Sequence, residues 1–463
     1  MIIKVKNLGV LREAKFELGD MTIICGGNNT GKTYATYALY GFLDYLKKGF
    51  TLDIDPNIVR KLYSQGSTSV DLKKYQESFP DSICQASKLY SKILYQIFAS
   101  KEDYFKNSEF EVEIKNKPAG EIKEYEVVFG SIEKRLLKIR SKPSSKELEV
   151  SFIIDKSAKD ELPPKFIIKD MISHAIKDVL YSTVFPNVFI ASAERTGVAI
   201  FRNELDFTRN RLLEIIKAKK LKFHPLELLE EFKSNYALPV KDNVEFTRQI
   251  EDYTKRKSFI AKEHREILCV FANIIGGEYR VIRNVLYFIP DNNKRLRLSM
   301  DESSSGVRSL LDIGFYLHHV AQRHDLLMVD EPELNLHPEN QRRIARLFAR
   351  LINIGIKVFI TTHSDYIIKE LNTLIMLKNN NNLNNKKILR EEGYKNEELL
   401  SADRLRAYIA EQKLVKLEGH TRRTKIQTLV SAHIDPKLGI EARSFDSTIG
   451  KMNRIQEDIL FKN

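Results

Sequence analysis

The sequence predicts an α/β fold: a sheet carrying a glycine-rich loop, an antiparallel β subdomain and helical insertions. Three observations predict it. Short apolar runs of strand length, Met21 to Cys25, Leu326 to Val329 and Val358 to Ile360, each end in small, acidic or polar residues. The sets Phe110-Val112-Ile114, Tyr125-Val127-Phe129 and Leu148-Val150-Phe152-Ile154 alternate in steps of two, the period of antiparallel strands. Residues about 202–275 are strongly charged, with Phe246, Ile250, Tyr253, Ile260, Ile267, Phe271 and Ile274 spaced by three, four or seven.

The first strands come at once. Ile2 to Val5 reads as one, Ala14, Phe16 and Leu18 alternate, and Met21 to Cys25 follows. That last strand runs straight into Gly26, and a helix is expected from Thr33 onward on Tyr37, Leu39, Tyr40 and Leu43. Strand, glycine-rich loop and helix frame the spacing Gly26-x-x-x-x-Gly31-Lys32-Thr33, a phosphate loop. Glycines let backbone N–H groups turn inward around a phosphate, and the helix N-terminus adds partial positive charge. Gly26, Asn28, Asn29, Thr30 and Gly31 form the cradle, Lys32 reaches the β and γ phosphates, and the Thr33 hydroxyl is placed for Mg²⁺.

A nucleotide site also needs an acidic element. The strand Leu326 to Val329 ends in Asp330-Glu331, where Asp330 can complete a Mg²⁺ shell and Glu331 can polarise an attacking water. The strand Val358 to Ile360 ends in Thr361-Thr362-His363-Ser364, and a histidine there can reach a γ phosphate. Ser303-Ser304-Ser305-Gly306 precedes an amphipathic helix on Val307, Leu310, Leu311 and Phe315. Hydroxyls and glycine before a helix make either a simple cap or an anion site. One protomer already has its phosphate loop, so this second anion site is spare unless it serves another subunit's nucleotide.

Composition limits the setting. The chain of 463 residues has room for about two to four domains. Its formal charge of +13 attracts polyanions, nucleic acid foremost; a solvated basic surface or a face for an acidic protein explains it as well. Cys25, Cys84 and Cys269 are scattered without ligand spacing, which fits a reduced cytoplasm rather than a disulfide frame or a zinc site. No apolar run reaches transmembrane length, and the start does not read as a secretory signal, so a cytoplasmic protein with no membrane partner is expected.

In order, these motifs resemble the ABC-type ATPase head, a phosphate-loop sheet with an antiparallel β subdomain. More narrowly, they resemble the prokaryotic SMC-like and OLD-like ATPases. "IIKVKNLGVLREAKFELGDMTIICGGNNTGKT" is similar to the family's opening hairpin and Walker A, and "SSSGVRSLL" resembles the signature motif, with Ser304 and Gly306 in its serine and glycine places. "LLMVDEPELNLHP" resembles Walker B and the D-loop, "FITTHS" the switch histidine at His363, and "FIASAERTG" (Phe189 to Gly197) a strand and loop of defence-type members. Two departures stand out: Val307 follows the signature glycine where relatives have a polar residue, and no glutamine stands clearly at a strand end as the Q-loop.

The resemblance implies two heads sandwiching two ATP molecules with Mg²⁺. Glu331 and His363 would act in cis, and Ser304 and Gly306 in trans. In layout the chain resembles the defence ATPases of the PtuA and AriA type. That implies a homo-oligomer controlling a separate effector, such as a nuclease, in a bacterial anti-phage complex. A DNA-repair-type head that binds nucleic acid directly, or an ATP-bound scaffold with little turnover, are the rival readings.

The expected organisation is a discontinuous head over 1–48, 106–200 and 275–378, a helical insertion at 49–105 with polar breaks, and a helical or short coiled-coil insertion at 201–274. A region at 379–463 would pack on the head or dock a partner. Asn379 to Asn382 reads as a solvated loop. "LEGH" at Leu417–His420 resembles the first element of a Toprim nuclease, but no Asp-x-Asp follows, so no nuclease centre is expected.

Overall fold

The structure is a computed structural model that describes residues 1–115, 118, 124–130, 135–142, 145–153, 162–201, 236–379, 383–416, 423–441, 452 and 454–459. The strands in chain order are β1 (Ile2–Leu8), β2 (Leu11–Glu17), β3 (Met21–Cys25), β4 (Ser67–Asp71), β5 (Glu109–Glu113), β6 (Tyr125–Gly130), β7 (Arg135–Ser141) and β8 (Glu147–Phe152). Then come β9 (Val188–Ala191), β10 (Gly277–Ile282), β11 (Val285–Pro290), β12 (Leu326–Asp330), β13 (Lys357–Thr362), β14 (Leu405–Lys416), β15 (Arg423–Ser431), β16 (Ile434–Asp435) and β17 (Gly439–Ile440). The chain divides into two compact units. One holds Met1–Ile3, Gly41–Ile93 and Glu109–Asn187; the other holds Lys4–Tyr40, Leu94–Ser108 and Val188–Asn463.

The first unit carries an antiparallel sheet in the order β4-β8-β7-β6. Of the alternating sets read from the sequence, Tyr125-Val127-Phe129 falls on β6 and Leu148-Val150-Phe152 on β8, where Leu148 and Val150 are fully buried, as are Leu137 and Ile139 of β7; Phe110 and Val112 fall on β5, outside this sheet. The strand β4 was not expected, since Ser64–Ser69 reads as a polar break. Its residues pair register for register with β8, Ser67 opposite Ser151 and Asp71 opposite Glu147, so pairing overrides a weak local pattern. Helices Pro56–Gln65, Leu72–Glu77, Lys165–Leu180 and most of Phe79–Ile97 belong to this unit. Ile154, the last of the alternating residues, lies outside the described residues.

The second unit is built on a six-stranded sheet in the order β15-β14-β3-β13-β12-β9. The five strands from β14 to β9 run parallel, and β15 returns antiparallel along β14. Continuous burial of β3 and β12 follows from parallel packing, with both faces covered. The helix Pro338–Asn353 covers the sheet with Ile344, Leu347, Phe348 and Leu351. It starts on His337, whose Nδ1 accepts the N–H of Glu339, and on Pro338 at its first position.

The C-terminal region, expected only to pack on the head or dock a partner, supplies β14 and β15 to the sheet itself. The reason no strands were expected there is visible in burial. Leu405 and Ala407 to Ala410 lie buried in the sheet, whereas Glu411 to Leu414 are exposed. The register with β3 ends at Ile409, and beyond it β14 pairs with β15 alone. A strand central in one half and marginal in the other shows no single period.

The charged stretch after residue 236 forms four short helices, Leu238–Arg248, Ile250–Tyr253, Phe259–Glu263 and Arg265–Ile275. Residues 202–235 lie outside the described ones. The stripe Phe246, Ile250, Ile260, Ile267, Phe271 and Ile274 is buried in the cores of this unit. The expected helix after the serine run is also segmented, into Ser305–Ser309 and Leu311–Phe315 with a break at Leu310. Leu417–His420 is outside the described residues.

Candidate functional site

The site is assembled at the ends of β3, β12 and β13, neighbours whose registers align Cys25 with Thr362 and Asp330 with Thr361. The loop leaves β3 through Gly26 at φ 146°, turns at Asn29 (φ 60°) and closes through Gly31 at φ 96°. Both glycines are required by packing as well as by φ. A Cβ on Gly26 would stand 2.7 Å from the carbonyl oxygen of Ala410, and one on Gly31 would stand 2.7 Å from Leu11 Cγ. Thr30 Oγ1 donates to the Gly27 carbonyl at 2.8 Å, tying the turn across its mouth. Gly27, Asn28 and Asn29 are exposed along the rim.

Lys32 is buried, and its Nζ donates to the carbonyls of Gly26 at 3.0 Å and Gly27 at 2.7 Å. The ammonium is thus held over the loop's own backbone. Cys25, at the root of the loop, is buried against β14, with Sγ 3.4 Å from the Tyr408 carbonyl; burial pushes its thiol up to about 12. It is a packing residue and no nucleophile.

Thr33 lies in the first turn of the helix Lys32–Asp44, and its Oγ1 donates to Asp330 Oδ2 at 3.3 Å across 297 residues of sequence. The other Asp330 oxygen accepts the Thr361 hydroxyl from the adjacent strand. Burial raises the Asp330 carboxyl to about 6; the Thr361 hydrogen bond opposes this, Glu331 and Glu194 add to it, and Arg195 opposes it. A hydroxyl and a carboxylate side by side form a hard oxygen donor pair, the kind that suits Mg²⁺ beside phosphate oxygens.

Glu331 adopts φ 52°, a left-handed backbone that costs a non-glycine residue on the order of 1 kcal/mol or more. Its N–H is held by the carbonyl and hydroxyl oxygens of Thr361 at 3.1 and 3.2 Å. Its carboxylate lies 3.7 Å from His363 Nδ1. Glu333, buried two residues on, accepts the Thr362 hydroxyl at 2.9 Å and the His363 N–H at 2.8 Å, and its Oε1 lies 3.5 Å from His363 Nδ1. This carboxylate was missed by sequence reading, although it sits in the same "DEPE" run.

The structure therefore brings Lys32, Thr33, Asp330, Glu331 and His363 to one end of the sheet. Ser304 and Gly306 stand apart from them. Ser304 caps the helix Ser305–Ser309 through its Oγ and the Val307 N–H at 3.3 Å, and its side chain is exposed. Gly306 abuts the turn that follows Asp330-Glu331, where a Cβ would lie 3.1 Å from the Asn335 carbonyl. Among the described residues no hydrogen bond joins either to the loop 26–33. The sequence also gave no warning of Gln427, whose side-chain amide donates to the Thr30 carbonyl at 3.1 Å.

Comparison with known proteins matches residues 1–368 to the family model for an AAA ATPase domain. No curated protein matches. Among solved structures the chain is similar to an SMC head bound to the C-winged helix domain of ScpA, at 11% identity over 92% of this chain and 97% of that one, with a TM-score of 0.34. It is similar to the SMC head domain from Thermotoga maritima at 11% identity over 92% and 98%, with a TM-score of 0.27. An SMC head with extended coiled coil bound to a ScpA domain, from Pyrococcus furiosus, gives 11%, 98% of each chain and a TM-score of 0.30. The sheet order, the loop and the family match agree with one another, and the chain is an ATPase that belongs to the AAA ATPase domain family.

Proposed function

We propose that the chain binds and hydrolyses ATP as one half of a paired ABC-type, OLD-like head, and that this cycle controls a separate effector in a bacterial anti-phage system. One observation carries the hydrolytic reading: the in-register strands β12 and β13 deliver Asp330, Glu331 and His363 together beside the Thr33 hydroxyl. Thr33 and Asp330 would hold Mg²⁺, which when bound neutralises phosphate charge. Lys32 exchanges the carbonyls of Gly26 and Gly27 for phosphate oxygens. The Glu331 carboxylate orients the attacking water and takes up its proton, and His363 donates toward the γ phosphate.

In the paired head the exposed Ser304 hydroxyl and the Gly306 backbone contact the other copy's nucleotide. ATP then favours the closed pair by binding it better than the open chain. Steady-state hydrolysis by Glu331→Gln tests the chemistry: turnover near wild type removes Glu331 as the base. Mass measurement of that variant with and without ATP tests pairing, and a mass that stays monomeric with ATP bound removes it. Neighbouring reading frames test the effector: a nuclease beside this gene supports it, and a membrane permease there opposes it.

The formal charge of +13 favours a second reading, direct binding of nucleic acid by a repair-type head. ATP-dependent duplex binding that weakens steeply with salt is its signature. No helix among the described residues is long and apolar enough to cross a membrane.

A further inference from the structure

Three consecutive residues link several of the elements around the site. Glu194 accepts the Tyr37 hydroxyl at 2.9 Å from the helix that follows the phosphate loop. Thr196 Oγ1 lies 3.5 Å from Asn335 Nδ2 in the turn that follows Asp330-Glu331, whose backbone the serine–glycine loop abuts at Gly306. Arg195, between them, is 1% exposed. Its Nε donates to the Ser309 carbonyl at 2.6 Å. Its Nη1 donates to the carbonyls of Ser192 at 2.9 Å and Asp330 at 2.6 Å, and its Nη2 to that of Glu331 at 2.8 Å.

Those acceptors are peptide oxygens. A buried arginine serving only as a counterion would point its fork at a carboxylate. This one uses its rigid planar fork as a bracket between two segments. On one side is the last carbonyl of the helix that Ser304 caps. On the other are the two peptides that bear the metal-site carboxylate and the catalytic one. Glu331 already sits in a left-handed backbone, so the tilt of the peptide after it aims its side chain.

We propose that Arg195 is a positioning residue for hydrolysis: it ties the Ser304–Ser309 helix to the Asp330–Glu331 peptides within one copy, so that the seating of that helix sets the aim of the Glu331 carboxylate. This rests on the hydrolytic, paired-head reading given above. It makes the two composite sites of a pair interdependent. When Ser304 of one copy engages the other copy's nucleotide, the shift of Ser309 reaches Glu331 of the same copy through a single guanidinium.

The test uses the full chain with Arg195→Lys, which keeps the charge but not the fork, and Arg195→Gln, which keeps two donors but not the charge. The expected result is a kcat lower by about 10- to 100-fold, since small misplacements of reacting groups carry such losses. KM and ATP binding should stay within about threefold, and the melting transition should remain cooperative. In addition, Ser304→Ala should lower kcat in the wild type but add little in Arg195→Lys, because the link it acts through is already cut. A kcat within about threefold of wild type in both variants, a loss confined to KM, or additive effects with Ser304→Ala would each overturn the proposal. So would failure of both variants to fold, which leaves Arg195 a purely structural residue. Glu331→Gln run beside them separates the two levels. If it abolishes turnover while the Arg195 variants stay active, only the positioning role falls; if it stays active, the hydrolytic reading falls and takes this proposal with it.

Discussion

The side-chain amide of Gln427 donates to the backbone carbonyl of Thr30 at 3.1 Å, so the C-terminal strand pair touches the phosphate loop itself. The same pair flanks β3 along its length, from Leu405 opposite Met21 to Ile409 opposite Cys25. Ala410 then fills the space against Gly26. Thr428 Oγ1 donates to the Glu13 carbonyl at 2.6 Å and fastens β15 to the opening hairpin. A chain ended after Asn379 therefore strips one whole edge from the strand that launches the loop. It should fail to give a soluble, cooperatively melting protein. Gln427→Ala should fold normally and weaken ATP binding by about 2- to 10-fold, the worth of one hydrogen bond. Calorimetric ATP titration of the variant and solubility of the truncated chain check both. A truncated chain that still binds ATP would make the C-terminal strands an appendage.

That contact also shows what a sequence does and does not reveal. Asp330, Glu331 and His363 were legible because they follow short, buried, mostly apolar strands, and Lys32 because it closes the glycine-rich loop that leaves another; chemistry gathers at strand ends of a parallel sheet. The antiparallel sheet was legible because Leu148 and Val150 are buried while their neighbours Glu147 and Glu149 are not. β14 was not, because its burial changes midway with its partners. Arg195 and Glu333 have roles that depend on where distant backbone groups lie, Ser309 for one and His363 for the other. No local period carries that information.

Asp312 should make stability fall as pH rises toward neutrality. It is fully buried on the helix Leu311–Phe315, where it accepts the Thr247 hydroxyl at 3.2 Å. Burial raises its carboxyl from the usual 3.8 to about 7, against the opposing effects of Thr247 and Arg195. The folded pKa lies above the unfolded one. Between those values the folded protein binds the extra proton, so its advantage is full below about pH 4 and is lost as pH rises through about 7. Asp312→Asn removes this dependence. The two proteins should be equally stable below about pH 4, and the variant should be the more stable at pH 8, by an energy on the order of a few kcal/mol. Thermal melts across that range give the answer, and parallel curves for the two proteins would exclude the effect.

Glu398 should be among the residues whose truncation harms stability most. It is buried between two arginines of the helix Pro338–Asn353. Arg350 reaches its Oε1 through Nε at 3.0 Å and Nη2 at 2.8 Å, and Arg346 reaches Oε2 at 2.8 Å. Arg350 is itself buried, so Glu398→Ala leaves a guanidinium without a counter-charge in the core. The expected loss is about 3–5 kcal/mol by denaturant unfolding. Replacing Arg350 and Glu398 together by leucine should recover most of it, since the penalty comes from the orphaned charge rather than from the missing pair. A double variant as unstable as Glu398→Ala would contradict that account.

Glu333 holds the end of β13 in place, and its removal should mimic loss of His363. Its carboxylate accepts both the Thr362 hydroxyl and the His363 N–H, which fixes the backbone from which the imidazole projects toward Glu331. Glu333→Gln places an amide N–H where one of those two donors now points, whichever way the amide turns. The strand end must shift, and the imidazole shifts with it. His363→Ala should lower kcat by about 100-fold with KM little changed, as expected for a group that acts on the transition state. Glu333→Gln should lower kcat by about 10-fold with KM likewise steady. The double variant should be no slower than His363→Ala, because Glu333 acts only through that side chain. Steady-state kinetics of the three proteins settle the matter: a double variant about 10-fold slower than His363→Ala would give Glu333 a role of its own in the chemistry.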